Sequence, residues 1–456
     1  MAESSVLVQE MRREGIVAGK MYPKTHRFEL DERTCRRLLD ALEGEGLPLL
    51  LDIEEVGLST IARICERHPQ LAVLLQRFRH GRERLLLPLM DSYENLHVEF
   101  SSNQANYVIE RLVDRYGPER LLFGTESPIK SPGAAKAMID YANIGEDARA
   151  LIGGGNLARM LGVEPPQERI PVAVDNDRVL TAVRAGRPVT ELIPDADIID
   201  AHTHPVHKDG VGVGLATMPR GDIDWMLKSY DCMGIAVACV APWLGVFSDT
   251  EKGKDIAFDA VKRYPDHAVG YATLNPNYVD DVAAEVERIY KHSGMKGLKF
   301  HYRRTGVEYD DPRYRPWWEY ANTHRLVALV NAAPMAPRKV SRPGFGGVLR
   351  GLAEAYPDVS FLLPHTAGAF ETIRDFTGIG LDIPNVYFEI TLTDVPLGSM
   401  ELLTEIVGAD RVIFGTDSPM RDPRPQFGWV AYAHLSEEDK LKILGGNMRR
   451  LLDRCH

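Results

Sequence analysis

Asp197-Ile198-Ile199-Asp200-Ala201-His202-Thr203-His204-Pro205 reads as a short apolar strand that ends in two histidines one residue apart. Side chains alternate between the faces of a strand, so His202 and His204 project to one side, and Asp200 shares their parity. Two imidazoles leaving a strand end together can hold a metal ion between them. The competing reading is a pair of polar residues in the turn after a buried strand. What the rest of the chain brings to the same place decides between them.

Downstream, apolar runs alternate with amphipathic segments. Residues 198–200, 235–240, 268–274, 297–301, 326–331, 359–364, 386–390 and 411–415 predict eight strands. Residues 279–292, 316–323, 346–356 and 399–407 predict helices between them. This alternation predicts a closed parallel barrel of the TIM-like (β/α)8 class, in which chemistry gathers at the C-terminal strand ends. His202, His204, His301, Asn331, His365 and Asp417 all fall at or just after such ends.

The first part of the chain resembles the last. Leu121-Leu122-Phe123-Gly124-Thr125-Glu126-Ser127-Pro128 matches Val412-Ile413-Phe414-Gly415-Thr416-Asp417-Ser418-Pro419, and Gly154-Gly155-Asn156 matches Gly445-Gly446-Asn447, at one offset (417 − 126 = 291; 447 − 156 = 291). Upstream, Gly19-Lys20-Met21 matches Leu298-Lys299-Phe300, and Leu51-Asp52 matches Val330-Asn331 (299 − 20 = 279; 331 − 52 = 279). An order-preserving match of this length predicts an internal duplication. Residues 1–165 are expected to be a degenerate half-barrel equivalent to strands four to eight and without catalysis. Residues 166–194 are read as a linker punctuated by Pro165-Pro166 and Gly186, and residues 195–456 as the complete barrel. The first copy has no His-x-His pair, and Arg77, Glu126 and Asp52 stand where the second has His365, Asp417 and Asn331; Lys20 alone keeps the identity of its counterpart, Lys299.

Composition is that of an ordinary globular protein: 44% hydrophobic and 26% charged over 456 residues, with a formal net charge of −11. That balance lacks the basic footprint of a nucleic-acid or membrane-surface binder. The five cysteines form no C-x-x-C pair, which fits a reducing compartment. The N-terminal residues show no apolar signal core and no run is long enough to span a bilayer, so the sequence predicts a cytoplasmic protein. Unpaired edges of a half-barrel sheet predict self-association as a homo-oligomer, a dimer, or packing within the chain.

Taken together, Asp200-x-His202-x-His204, Gly297-Leu298-Lys299-Phe300-His301, Leu363-Pro364-His365 and Phe414-Gly415-Thr416-Asp417-Ser418-Pro419 resemble the amidohydrolase-related family. This is the branch of the amidohydrolase superfamily that includes aminocarboxymuconate-semialdehyde decarboxylase. The resemblance implies a divalent metal, usually zinc with manganese as another possibility, held by His202, His204 and Asp417. It also implies that His365 faces the substrate as a general acid or base. The family's fifth-strand histidine falls on Asn331, a weaker ligand than imidazole. Three outcomes are open: three side chains and water hold the metal, His301 or His365 joins them, or the site has been repurposed without metal.

Further candidates each have a plainer alternative. Lys299 could bind a substrate anion or form an internal ion pair. Arg303 and Arg304 could clamp a carboxylate or lie in a solvated loop. Trp243 could line the pocket or pack its loop. Glu389 reads as a buried partner of Lys299 or a ligand. The leading functional expectation is a metal-dependent hydrolase of a small amide, lactone or ester, in which Asp417 takes the proton of a metal-activated water. The alternatives are a metal-dependent non-oxidative decarboxylase of a small carboxylic acid, and a pseudo-enzyme or scaffold.

Overall fold

The computed structural model describes residues 3–164, 177–208, 220–332, 340–392 and 394–456. Residues 166–176 of the expected linker lie outside them. The described residues form two compact units, one of residues 3–125 and 142–164, the other of residues 126–141, 177–208 and those from 220 onward. The units therefore do not divide at a single point in the chain.

In the first unit, β1 (Gly19–Met21), β2 (Leu49–Asp52), β3 (Val73–Gln76), β4 (Leu96–Glu99) and β5 (Leu121–Leu122) form a five-stranded sheet in sequence order, every pair parallel. In the second, eight parallel strands follow in the same way: β6 (Ile198–Thr203), β7 (Ile235–Val240), β8 (Ala268–Ala272), β9 (Met295–Phe300), β10 (Val327–Val330), β11 (Ser360–Leu363), β12 (Val386–Glu389) and β13 (Val412–Ile413). β10 to β13 are buried at every position, which is why their sequences run apolar without a polar face.

The barrel closes between its first and last strands. The Ala201 N–H donates to the Phe414 carbonyl at 3.0 Å, Asp417 N–H to His202 at 2.8 Å and His204 N–H to Ser418 at 2.7 Å. Asp200 reinforces the seam from inside, accepting from the Thr416 N–H at 3.1 Å and from the Tyr230 hydroxyl at 2.6 Å. Burial pushes this carboxyl up to about 7. The stretch that opened the sequence reading is thus both the first strand and half of the closure.

The helices behind the strands start where the sequence supplies caps. Asp222, Asp249 and Asp281 each accept the N–H three residues on, at Trp225, Lys252 and Ala284. Among the aromatic core, Trp318 stacks on Phe300 at 4.5 Å, and its indole N–H donates to the Tyr309 carbonyl at 2.7 Å. The Pro132–Asp140 helix joins this second unit because Gly133 and Gly428 let it lie directly on the Arg424–Ala431 helix; a Cβ at either glycine would collide with the other helix's backbone. No described helix is long and apolar enough to cross a membrane.

Candidate active site

Three side chains from the two strands that close the barrel converge. The ligand atoms of His202, His204 and Asp417 lie within 4.8 Å of one another, and all three residues are buried. The Nε2 atoms of His202 and His204 are each 3.3 Å from Asp417 Oδ1. The far nitrogens are fixed: His202 Nδ1 is 3.0 Å from Glu389 Oε2, and His204 Nδ1–H donates to the Ala241 carbonyl at 2.6 Å. Both rings therefore turn Nε2 toward Asp417. Glu389 is in turn held by the Thr391 N–H, which donates to its Oε1 at 2.6 Å. Gly415 makes this proximity possible, since a Cβ there would run into Glu389 Oε1, the His202 Cβ and the Thr391 hydroxyl.

Such a donor set fits a divalent cation. Two imidazole nitrogens and one carboxylate oxygen, all facing inward and oriented from behind, are ligands shared by zinc and manganese. Burial holds the His202 imidazole well below its ordinary value, with the Lys299 charge adding to the effect, so the ring is neutral and its Nε2 lone pair is shared with the Lys299 ammonium. Burial works to raise Asp417, but Arg421, His202 and His204 outweigh it and keep the carboxyl well below its usual range. Asp417 sits at φ 63° and His365 at φ 69°, left-handed conformations uncommon for residues with side chains.

Next to these donors is a cavity of about 300 Å³ into which His365, Asn331, Arg303, Leu392 and Arg421 also face. That is the size of a small-molecule site. His365 Nδ1–H donates to the Thr391 carbonyl at 2.7 Å, leaving Nε2 for the cavity, 3.4 Å from the Asn331 amide nitrogen. Burial lowers His365 to about 4. Arg421 Nη1 lies 3.0 Å from Asp417 Oδ2, while its buried Nε has no hydrogen-bond partner.

The remaining candidates divide. Lys299 lies inside the barrel with Nζ 2.6 Å from His202 Nε2, and burial lowers its ammonium to about 8. Asn331 lies beside His365 on the wall of the same cavity. His301 is outside the three-residue donor group; its ring packs 5.7 Å from Phe247 because the chain turns after β9, and burial lowers it to about 3. Arg303 faces the cavity, whereas Arg304 lies over the Phe247 ring at 4.3 Å and lines a neighbouring pocket. Trp243, read either as pocket lining or as loop packing, stands behind the cavity wall. It stacks on Phe247 at 4.0 Å and meets the His204 ring edge-on, so Phe247 supplies the aromatic wall. Glu389, read as a partner of Lys299, pairs with His202.

Arg421 escaped the sequence reading. Its signal was a cation four residues after Asp417, a spacing that Glu126 and Lys130 share at the matching positions, with Nζ 3.1 Å from Oε1.

A family model described as amidohydrolase matches residues 2–163 and 199–454, and the chain belongs to that family. Its curated relatives include the gamma-resorcylate decarboxylases of Rhizobium radiobacter, 23% identical over 50% of this chain and 86% of that one, and of Rhodococcus jostii (strain RHA1), 24% identical over 51% and 84%. Among solved structures, a dihydroxybenzoic acid decarboxylase from Polaromonas sp. JS666, with bound manganese and the inhibitor 2-nitroresorcinol, shares 19% identity at a TM-score of 0.42. The similarity covers 56% of this chain and 97% of that one.

Proposed function

We propose that this amidohydrolase-family protein is a divalent-metal-dependent, non-oxidative decarboxylase of a small aromatic carboxylic acid. The observation that carries the reading is the juxtaposition of the His202, His204 and Asp417 donors with the Arg303 and Arg421 guanidiniums around one small cavity. The curated gamma-resorcylate decarboxylases support it. They favour decarboxylation over hydrolysis, the leading expectation from sequence, which rests on the breadth of the superfamily.

His202, His204 and Asp417 would hold the cation. A cation there supplies Lewis-acid polarisation of a substrate oxygen and fixes the substrate's position. Arg421 offers Nε to a substrate carboxylate oxygen, and Arg303 adds a second positive charge. Phe247 and Leu392 provide apolar walls for an aromatic ring. His365 Nε2, unprotonated in the resting ring because Nδ1–H is held by the Thr391 carbonyl, takes up a proton from solvent and delivers it to the ring carbon that bears the carboxylate. The bond from that carbon to the carboxylate then breaks, its electron pair restores the ring, and carbon dioxide leaves. Glu389 and the Ala241 carbonyl keep the two strand-end histidines oriented throughout. The reading includes a cytoplasmic setting, supported by five cysteines that are all free.

A panel of hydroxybenzoic acids assayed with zinc- or manganese-loaded protein tests this. Carbon dioxide release that is lost in His365→Asn and Asp417→Asn is the expected result. Hydrolysis of a lactone or amide panel without carbon dioxide release would establish the hydrolase instead, and inactivity on both by metal-loaded protein would leave the pseudo-enzyme.

A further inference from the structure

Residues 126–141 are the part of the N-terminal sequence repeat that lies in the barrel unit. Their helix, Pro132–Asp140, packs on Arg424–Ala431. By the repeat offset these helices are counterparts of one another (428 − 137 = 291; 432 − 141 = 291).

Their contacts come in exchanged pairs. Ala137 and Gly428 occupy one repeat position and meet each other. The Tyr141 carbonyl lies 3.4 Å from Arg424 Nη1, and the mate contact, Gly133 against the Tyr432 Cβ, is also made. The Tyr141 ring meets Phe427 at 6.1 Å, while the Tyr432 ring carries Lys136 Nζ at 5.4 Å (427 − 136 = 291). Contacts that exchange in pairs around one self-mated position define a two-fold interface.

Each unit also repeats the other's internal bonding. Asn156 Nδ2 donates to the Pro118 and Leu121 carbonyls, as Asn447 Nδ2 does to Ala409 and Val412. Asn95 donates to the Cys65, His68 and Leu71 carbonyls, as Asn385 does to Ala353, Tyr356 and Val359. Lys20 pairs in register with Leu50, as Lys299 does with Leu329.

The segment reaches the loop that follows β12. Lys130 Nζ lies 3.2 Å from Asp394 Oδ1, and the Ser131 N–H donates to the Val395 carbonyl at 2.9 Å. From the partner helix, Gln426 Nε2 donates to the Leu392 carbonyl at 2.7 Å. Leu392 lines the cavity, and the Thr391 carbonyl holds His365.

We propose that Pro132–Asp140 and Arg424–Ala431 are repeat-equivalent helices paired two-fold within the barrel unit. Across this pairing, Lys130 acts as a positioning residue for the loop that carries Leu392 and anchors His365. The occupant of the Arg424–Ala431 face is the chain's own Pro132–Asp140 helix, not a second molecule. This holds whichever reaction the barrel performs.

Two measurements on the full-length chain test the proposal. In the first, Lys136→Cys and Tyr432→Cys, replacing side chains in contact at 5.4 Å, are combined and joined by a short bis-maleimide. An intrachain link, running as a monomer on a denaturing gel, is expected; an interchain link, or no link in folded protein, overturns the in-chain pairing. In the second, amide exchange is followed in Lys130→Met. Exchange roughly ten-fold faster at the amides of Thr391, Leu392, Asp394 and Val395, unchanged in β10 and restored by Lys130→Arg, is expected. Unaltered exchange in that loop, or a uniform increase across the barrel, overturns the positioning role. The second measurement decides the matter if the double cysteine variant does not fold.

Discussion

Lys299 Nζ and His202 Nε2 are 2.6 Å apart, so a barrel lysine donates to the same ring nitrogen that faces Asp417. A cation and the lysine's ammonium compete for one lone pair, and they also repel each other.

Lys299→Met is therefore expected to tighten zinc or manganese uptake about ten-fold or more, because both the competing donor and the like charge are gone. Competition against a chelator of known affinity measures it. Unchanged or weaker uptake would show that Lys299 does not oppose the cation.

Glu389→Gln should act in the opposite direction. Glu389 Oε2 orients His202 from behind at 3.0 Å, and weakening such a partner typically lowers metal affinity about ten- to a hundred-fold. The same competition assay reads it, and circular dichroism checks that the variant is folded.

Arg421→Met is expected to raise KM for an aromatic acid roughly a hundred-fold, the order of a lost charge-assisted hydrogen bond in a buried site. Binding of the corresponding phenol, which has no carboxylate, should change far less. Equal losses for acid and phenol would mean that Arg421 acts through Asp417 rather than on the substrate.

Trp318→Ala should destabilise the barrel by about 3–5 kcal/mol, since it removes the stack on Phe300 and leaves the Tyr309 carbonyl without its indole donor. Urea unfolding followed by far-UV circular dichroism tests the magnitude.

Burial, with Arg120 adding to it, holds the His97 imidazole down at about 4 from an ordinary 6.5. Between these values the unfolded chain binds the proton and the folded chain does not. Stability is thus full above pH 6.5 and falls as the pH drops toward 4, by up to roughly 3 kcal/mol from this residue. His97→Gln should flatten the pH dependence of urea midpoints across that window. An unchanged slope would remove His97 as its source.

The barrel was legible because its signals are local. Strands buried on both faces read as apolar runs, and residues 279–292, 316–323, 346–356 and 399–407 read as amphipathic helices between them. The His202 and His204 pair was legible because strand parity alone puts both on one side. The two readings of Trp243 stayed open in the sequence because its position after β7 specifies a strand end, but not whether the ring turns into the cavity or onto Phe247.

What the sequence by itself determined is the order of strands, the strand ends that carry polar groups, and the matched segments at fixed offsets. These depend on periodicity and spacing along the chain. Only the tertiary structure decided that Glu389 backs His202 across 187 residues, that Arg421 reaches Asp417, and that residues 126–141 belong with the barrel. Such pairings arise when barrel closure brings distant strand ends within a few ångströms, and no local pattern encodes which side chain then meets which.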